Sequence, residues 1–143
     1  MDTFLASLNL DPLILAKALV CAFFAVLFLQ SGLDKVIDRK GNSEWLTGHF
    51  ANSPLKGSVG AMLLTVTLLE LTAGVCSIGG VVGAFFMPMA FFTVLGPVLS
   101  CLVLLMLFFG QRIAKDYPGA ATLASYFGVA LLGLIVVGVG KLP

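Results

Sequence analysis

Apolar residues fall in four long runs, near residues 13–35, 58–79, 85–110 and 118–140, and the polar residues are swept into the connections between them. Each run reaches the roughly 20 residues that a helix needs to cross a hydrocarbon core about 30 Å thick. In lipid a backbone satisfies its own donors and acceptors only as a helix or a closed barrel, and apolar runs this long predict helices. The expected fold is therefore all-α: an integral membrane, antiparallel four-helix bundle forming one transmembrane domain over residues 1–143.

The break between the second and third runs rests on Gly79, Gly80 and Gly83, since no charged residue separates them. Pro88 fits the first turn of the third helix. The one sizeable connection, residues 36–57, holds DRKGNSEWLTGHFANSPLK. Within it Asn42 or Ser43 is expected to cap a short interfacial helix that presents Trp45, Leu46 and Phe50 on one face.

Composition agrees with lipid as the main solvent: 59% of residues are hydrophobic and 10% are charged, and the mean hydropathy is +1.10. A formal net charge of +1 leaves no basic surface of the kind nucleic acid requires. The opening MDTFLASLNLDPL carries two acids and no base, unlike a signal peptide, so the first span is expected to stay in the mature protein. Cys21, Cys76 and Cys101 lie in three different runs without CxxC or metal-ligand spacing. They read as small buried hydrophobes, and no metal site is expected.

Lys35, Arg39, Lys40, Lys56, Arg112 and Lys115 flank the first and third loops, against Lys17 and Lys141 on the other side. By the positive-inside rule those loops face the cytoplasm and both termini face outward, in a multi-pass protein of a bacterial-type inner membrane.

Glu70 sits near the middle of the second span, where a charged carboxylate costs roughly 2.5–3.5 kcal/mol on insertion scales. Helical spacing aligns it with Leu63, Thr67, Gly74 and Ser77, a stripe that should face the bundle interior. The first helix has a matching stripe of Lys17, Cys21, Phe24, Phe28, Ser31 and Lys35. In the fourth, Ala120, Ala124 and Gly128 form a small-residue track, with Thr122, Tyr126, Ala130 and Gly133 on a neighbouring line. Gly96 and Pro97 interrupt hydrogen bonding in the third, so a kink near Ser100 and freed carbonyls that need donors are expected.

With the span ends taken as level, Lys35 lies roughly 18 Å from Glu70 in depth and Lys17 about 8 Å on the other side. Both lysines are then poor partners. Tyr126, Ser100, Thr67 and Gln30 fall at the depth of Glu70, so a hydrogen-bonded cluster is expected in place of an ion pair. Without a nearby cation, burial favours the protonated carboxyl. Such a group either ties helices together or hands a proton to a quinone. Trp45, His49 and Phe50 in the first loop anchor it at the headgroups or touch a partner or a quinone head.

The runs FLQSGLDKVID, LLELTAGVCSIGG and DYPGAATLASYF, in that order on four spans, resemble the DoxX-like family of small four-helix membrane proteins. The loop WLTGHFANSPL is similar to versions of that family with an amphipathic segment between the first two helices. The resemblance implies association with membrane redox systems, including a thiosulfate-to-quinone oxidoreductase. By matching position it singles out Ser31, Gly32 and Lys35, then Glu70 and Gly74, then Asp116, Tyr117 and Gly119. The residues themselves read Asp116 as a helix N-cap, with Tyr117 at the headgroups and Pro118 in the first turn.

Three functions are expected in descending order. The first is a non-catalytic accessory subunit that anchors or stabilises a larger membrane complex of the redox or respiratory kind, alongside other membrane-protein subunits. The second is a quinone-binding component of an oxidoreductase, with Glu70 and Tyr126 handling protons and electrons supplied by a partner, since the chain offers no haem, iron-sulfur or dinucleotide motif. The third is a small transporter gated at Glu70 and Gly96-Pro97. In each, the chain is not expected to be catalytic on its own.

Overall fold

The computed structural model describes residues 11–86 and 89–139, and every regular element in them is helical. They run α1 (Pro12–Ile37), α2 (Arg39–His49), α3 (Val59–Phe85), α4 (Ala90–Ile113) and α5 (Tyr117–Gly138). Four of these, all but α2, are long and apolar enough to cross a membrane. The reading of the amino terminus, the placement of Pro88 and the end of the fourth span at residue 140 lie outside the described residues.

Helix ends follow from local chemistry. Asp11 caps α1 by accepting from Leu13 N at 2.8 Å, with Pro12 at N1 where a missing N–H costs nothing. Asp116 caps α5 in the same way through Gly119 N at 3.0 Å, with Tyr117 and Pro118 in the first turn. Between α4 and α5 the chain turns in a Schellman motif, Asp116 N donating to Gln111 O and Lys115 N to Arg112 O. Its left-handed position is filled by Lys115 at φ 61°.

Two expectations about boundaries are corrected. The short helix starts at Arg39, capped by Asp38 through Gly41 N at 3.0 Å, so Asn42 and Ser43 lie inside it. Asp38 presents the first free carboxylate after α1, and the Asn42 amide turns back to donate to Asp38 O at 2.8 Å. Gly79, Gly80 and Gly83 do not break the second span, because α3 continues through them to Phe85. They serve close packing instead: a Cβ on Gly80 would meet Cys21 Sγ at 2.7 Å and Phe92 O at 2.9 Å. In an apolar medium the cost of unpaired backbone groups outweighs the weak helix propensity of glycine.

The stripe Leu63, Thr67, Glu70, Gly74 and Ser77 is buried along its length. Phe24, Phe28, Ala73, Cys101, Val103, Leu104 and Ala130 form the central apolar cluster. Helix α3 packs extensively on both α1 and α4, while α5 leans mainly on α4 and only lightly on α1. The small-residue track of α5 is corrected accordingly: Ala124, Gly128 and Tyr126 face outward, and its inner face runs Ala120, Ala130, Gly133 and Val137.

Glycines set the register of α1 against α3. A Cβ on Gly74 would lie 3.0 Å from Leu29 N, and one on Gly32 would lie 3.3 Å from Leu71 N. These two approaches bring Ile37, the end of α1, level with about Val66. The first turns of α3 therefore extend about 10 Å beyond α1, at 1.5 Å per residue.

Candidate functional site

That offset decides the partner of Glu70. In that register Lys35 stands about 3 Å, roughly half a turn, from Glu70 in depth, and side chains lean toward the N-terminus of their own helix, which in an antiparallel pair tilts these two toward each other. The Lys35 ammonium lies 2.8 Å from Glu70 Oε2 and donates to Oε1 at 3.2 Å. Ser31 Oγ donates to the same Oε1 at 3.0 Å, and accepts from Lys35 Nζ at 2.8 Å. Glu70 is 1% exposed and Lys35 18%.

The expected hydrogen-bonded cluster without a cation is thus replaced by a buried ion pair bridged by a hydroxyl. The 18 Å depth offset assumed level helix ends, and the glycine register removes most of it. Lys35 supplies the cation that the expected cluster lacked.

Of the other candidates at this depth, Thr67 and Ser100 are buried but spend their hydroxyls on their own helices, donating to Leu63 O at 2.6 Å and Gly96 O at 2.9 Å. Gln30 is exposed on the outer face of α1, and Tyr126 is 37% exposed on the outer face of α5. Helical phase carries both away from Glu70, although their depth agrees. Lys17 lies at the far end of the bundle, where it donates to Val139 O at 3.0 Å and satisfies a carbonyl of the α5 C-terminus.

The ion pair forms part of the wall of a cavity of about 670 Å³ at the end of the bundle that carries the first and third loops. Leu46, Phe50, Val66, Met106, Leu107 and Leu123 supply its apolar surface. Trp45, His49 and Phe50 all line it, so α2 covers the cavity with the face expected to meet headgroups. Phe50 is buried, and Trp45 is 58% exposed with its ring stacked on His49 at 4.5 Å.

His49 also ties α2 to the far side of the bundle. Its Nε2 sits 2.7 Å from Gln111 Oε1 at the end of α4, and 3.9 Å from Oδ2 of the Asp116 that caps α5. As the ring acts as donor to Gln111, Nε2 carries the hydrogen. The firm interaction of Asp116 is the cap on α5 through Oδ1, which gives the third-loop motif a structural account.

Sequence reasoning singled out Lys35 but set it too far from Glu70 to pair, and it missed Gln111 altogether. Lys35 was visible on the same stripe as Ser31, and only the register was lacking. Gln111 carries no local signal, because its partner is 62 residues away. Among the described residues, no three His, Cys, Asp or Glu side chains gather in a way that could hold a metal ion. No protein-family model, curated protein or solved structure matches the chain.

Proposed function

We propose that this protein is a small DoxX-like membrane subunit, not catalytic alone, that holds a quinone-type molecule for a redox partner in a bacterial-type inner membrane, with the cavity on the cytoplasmic side. The observation that carries this reading is the cavity itself. Its volume lies in the range of small-molecule sites, its walls are mainly apolar, and a few polar groups converge on it. An aromatic ring with polar substituents and an isoprenoid or alkyl tail matches that division between Glu70, Lys35 and Ser31 on one hand and Leu107, Leu123 and Val66 on the other. Electrons come from the partner assembly, and the basic flanks of the first and third loops support the orientation.

Binding of a decyl-substituted benzoquinone to the purified protein in nanodiscs tests this. Thr65 lines the cavity from the exposed face of α3, so Thr65→Phe fills space without touching the buried core. Saturable binding that weakens at least tenfold in a folded Thr65→Phe variant is expected. Unchanged affinity in that variant, or no saturable binding to the native chain, overturns the reading.

A further inference from the structure

The outward face of α1 carries an apolar seam with a single polar residue in it. Leu19, Phe23, Val26, Leu33 and Ile37 are all exposed, as is Gln30, and together they recur at alternating steps of four and three residues. That is the heptad spacing by which two parallel helices interlock, with Phe23, Gln30 and Ile37 in one set of core positions and Leu19, Val26 and Leu33 in the other. Ser31 and Lys35, which line the cavity, fall outside the seam.

Gln30 stands in hydrocarbon. The exposed carboxylate of Asp34 marks the headgroup level on this side of α1, and Gln30 lies one turn further in, about 6 Å at 1.5 Å per residue. Its side chain leans toward the N-terminus of α1, away from Asp34 and the headgroups. Thr72, Thr122 and Ser125, also exposed along the spans, each donate to a carbonyl one turn back in their own helix. The Gln30 amide makes no hydrogen bond among the described residues, and acyl chains offer it neither a donor nor an acceptor.

Whatever completes this face must bring a donor and an acceptor to the depth of Gln30, beside a matching apolar stripe. A second copy of α1 meets both conditions. An amide donates as well as accepts, so two Gln30 side chains facing each other across a two-fold axis along the membrane normal exchange hydrogen bonds. No charged side chain lies on the seam from Leu19 to Ile37, so juxtaposing two identical faces opposes no like charges there. We propose that this protein forms a two-fold homodimer through α1, with the Gln30 pair fixing the register as a polar core residue does in a coiled coil.

The full chain in liposomes tests this. Förster transfer between donor- and acceptor-labelled copies, followed over a range of protein-to-lipid ratios, should reveal a saturable dimer. Gln30→Leu keeps the seam apolar and alters nothing inside the bundle, and it should weaken the dimer about tenfold, the scale of interhelical polar bonds in lipid. Under oxidation, Val26→Cys should give a disulfide-linked dimer. Val129→Cys, one turn from Tyr126 on the outward face of α5, should stay at the level of the native chain with its own three cysteines. A native chain that remains monomeric, its seam left to lipid or to a different protein, overturns the proposal. So does a Gln30→Leu dimer as tight as the native one or tighter, and so does cross-linking at Val129→Cys in place of Val26→Cys.

Discussion

Cys21 and Thr93 meet across the bundle: the Cys21 thiol donates to the Thr93 carbonyl over 3.7 Å. That carbonyl is the acceptor that Pro97, four residues on in α4, leaves without its usual N–H. Helix α4 nevertheless continues from Ala90 to Ile113. A cysteine that reads from sequence as a small hydrophobe is thus also a donor, placed where a helix interior has lost one.

Cys21→Ala should lower stability by about 1–2 kcal/mol, since it strands the Thr93 carbonyl and opens a small void. Cys21→Ser retains a donor and should cost less. The order of unfolding midpoints in one detergent checks this, and a serine variant no better than alanine would show that packing alone accounts for Cys21.

The two members of the buried ion pair should respond unequally to neutralisation. Lys35→Met leaves the Glu70 carboxylate enclosed and unpaired, at a cost of about 3 kcal/mol or more. Glu70→Gln leaves an ammonium at 18% exposure, near enough to the helix end to turn toward the headgroups, and should cost less. The double neutral variant should be more stable than the sum of the single effects predicts, giving a coupling energy of at least about 1 kcal/mol in a double-mutant cycle. Additive effects would mean that the two groups do not interact in the membrane.

Periodicity alone placed the inward faces of α1 and α3, because Leu63, Thr67, Glu70, Gly74 and Ser77 repeat at helical spacing and the low-dielectric surroundings drive polar and small side chains to one side. It did not place α3 along α1. That sliding position depends on where Gly32 and Gly74 let two backbones approach, a pairing between segments that a single sequence does not encode locally. The resulting error was largest at Lys35. Helical phase matters as much as depth: Gln30 and Tyr126 were matched to Glu70 by height, yet their azimuth carries them outward. The contact of His49 with Gln111 joins a loop helix to the third span and leaves no periodic trace at all.

Glycine substitutions should separate the two kinds of position. Gly74→Ala places a methyl group 2.7 Å from Leu29 Cγ and 3.0 Å from Leu29 N, so α1 and α3 must part, at a cost of about 1–3 kcal/mol. Gly128, with nothing within 4 Å of a new Cβ, should accept alanine with no loss or a small gain. Thermal unfolding in detergent distinguishes them, and equal effects at both sites would contradict the packing.

The turn before α5 can be improved. Lys115 occupies a left-handed conformation at φ 61°, which a side chain with a Cβ adopts at a cost of about 1–2 kcal/mol relative to glycine, partly offset by the greater freedom of glycine in the unfolded chain. Lys115→Gly should raise stability by about 0.5–1 kcal/mol. A lower unfolding midpoint would mean that the lysine side chain, exposed in the structure, makes a stabilising contact with the lipid headgroups.

His49 should control how firmly α2 covers the cavity. Helix α2 has no buried residue of its own, so its position depends on Phe50 at its C-terminal end and on the bond from His49 to Gln111 across the bundle. His49→Ala removes that bond and the ring against which Trp45 stacks. Amide hydrogen exchange over residues 39–49 should accelerate about tenfold, while the protected centres of α1 and α3 remain unchanged. Trp45 is the sole tryptophan, so its emission reports the same event directly. Gln111→Ala should reproduce the faster exchange with the stacked pair intact, which separates the loss of the inter-helix bond from the loss of the ring; unaltered exchange in both variants would place the hold on α2 with Phe50 alone.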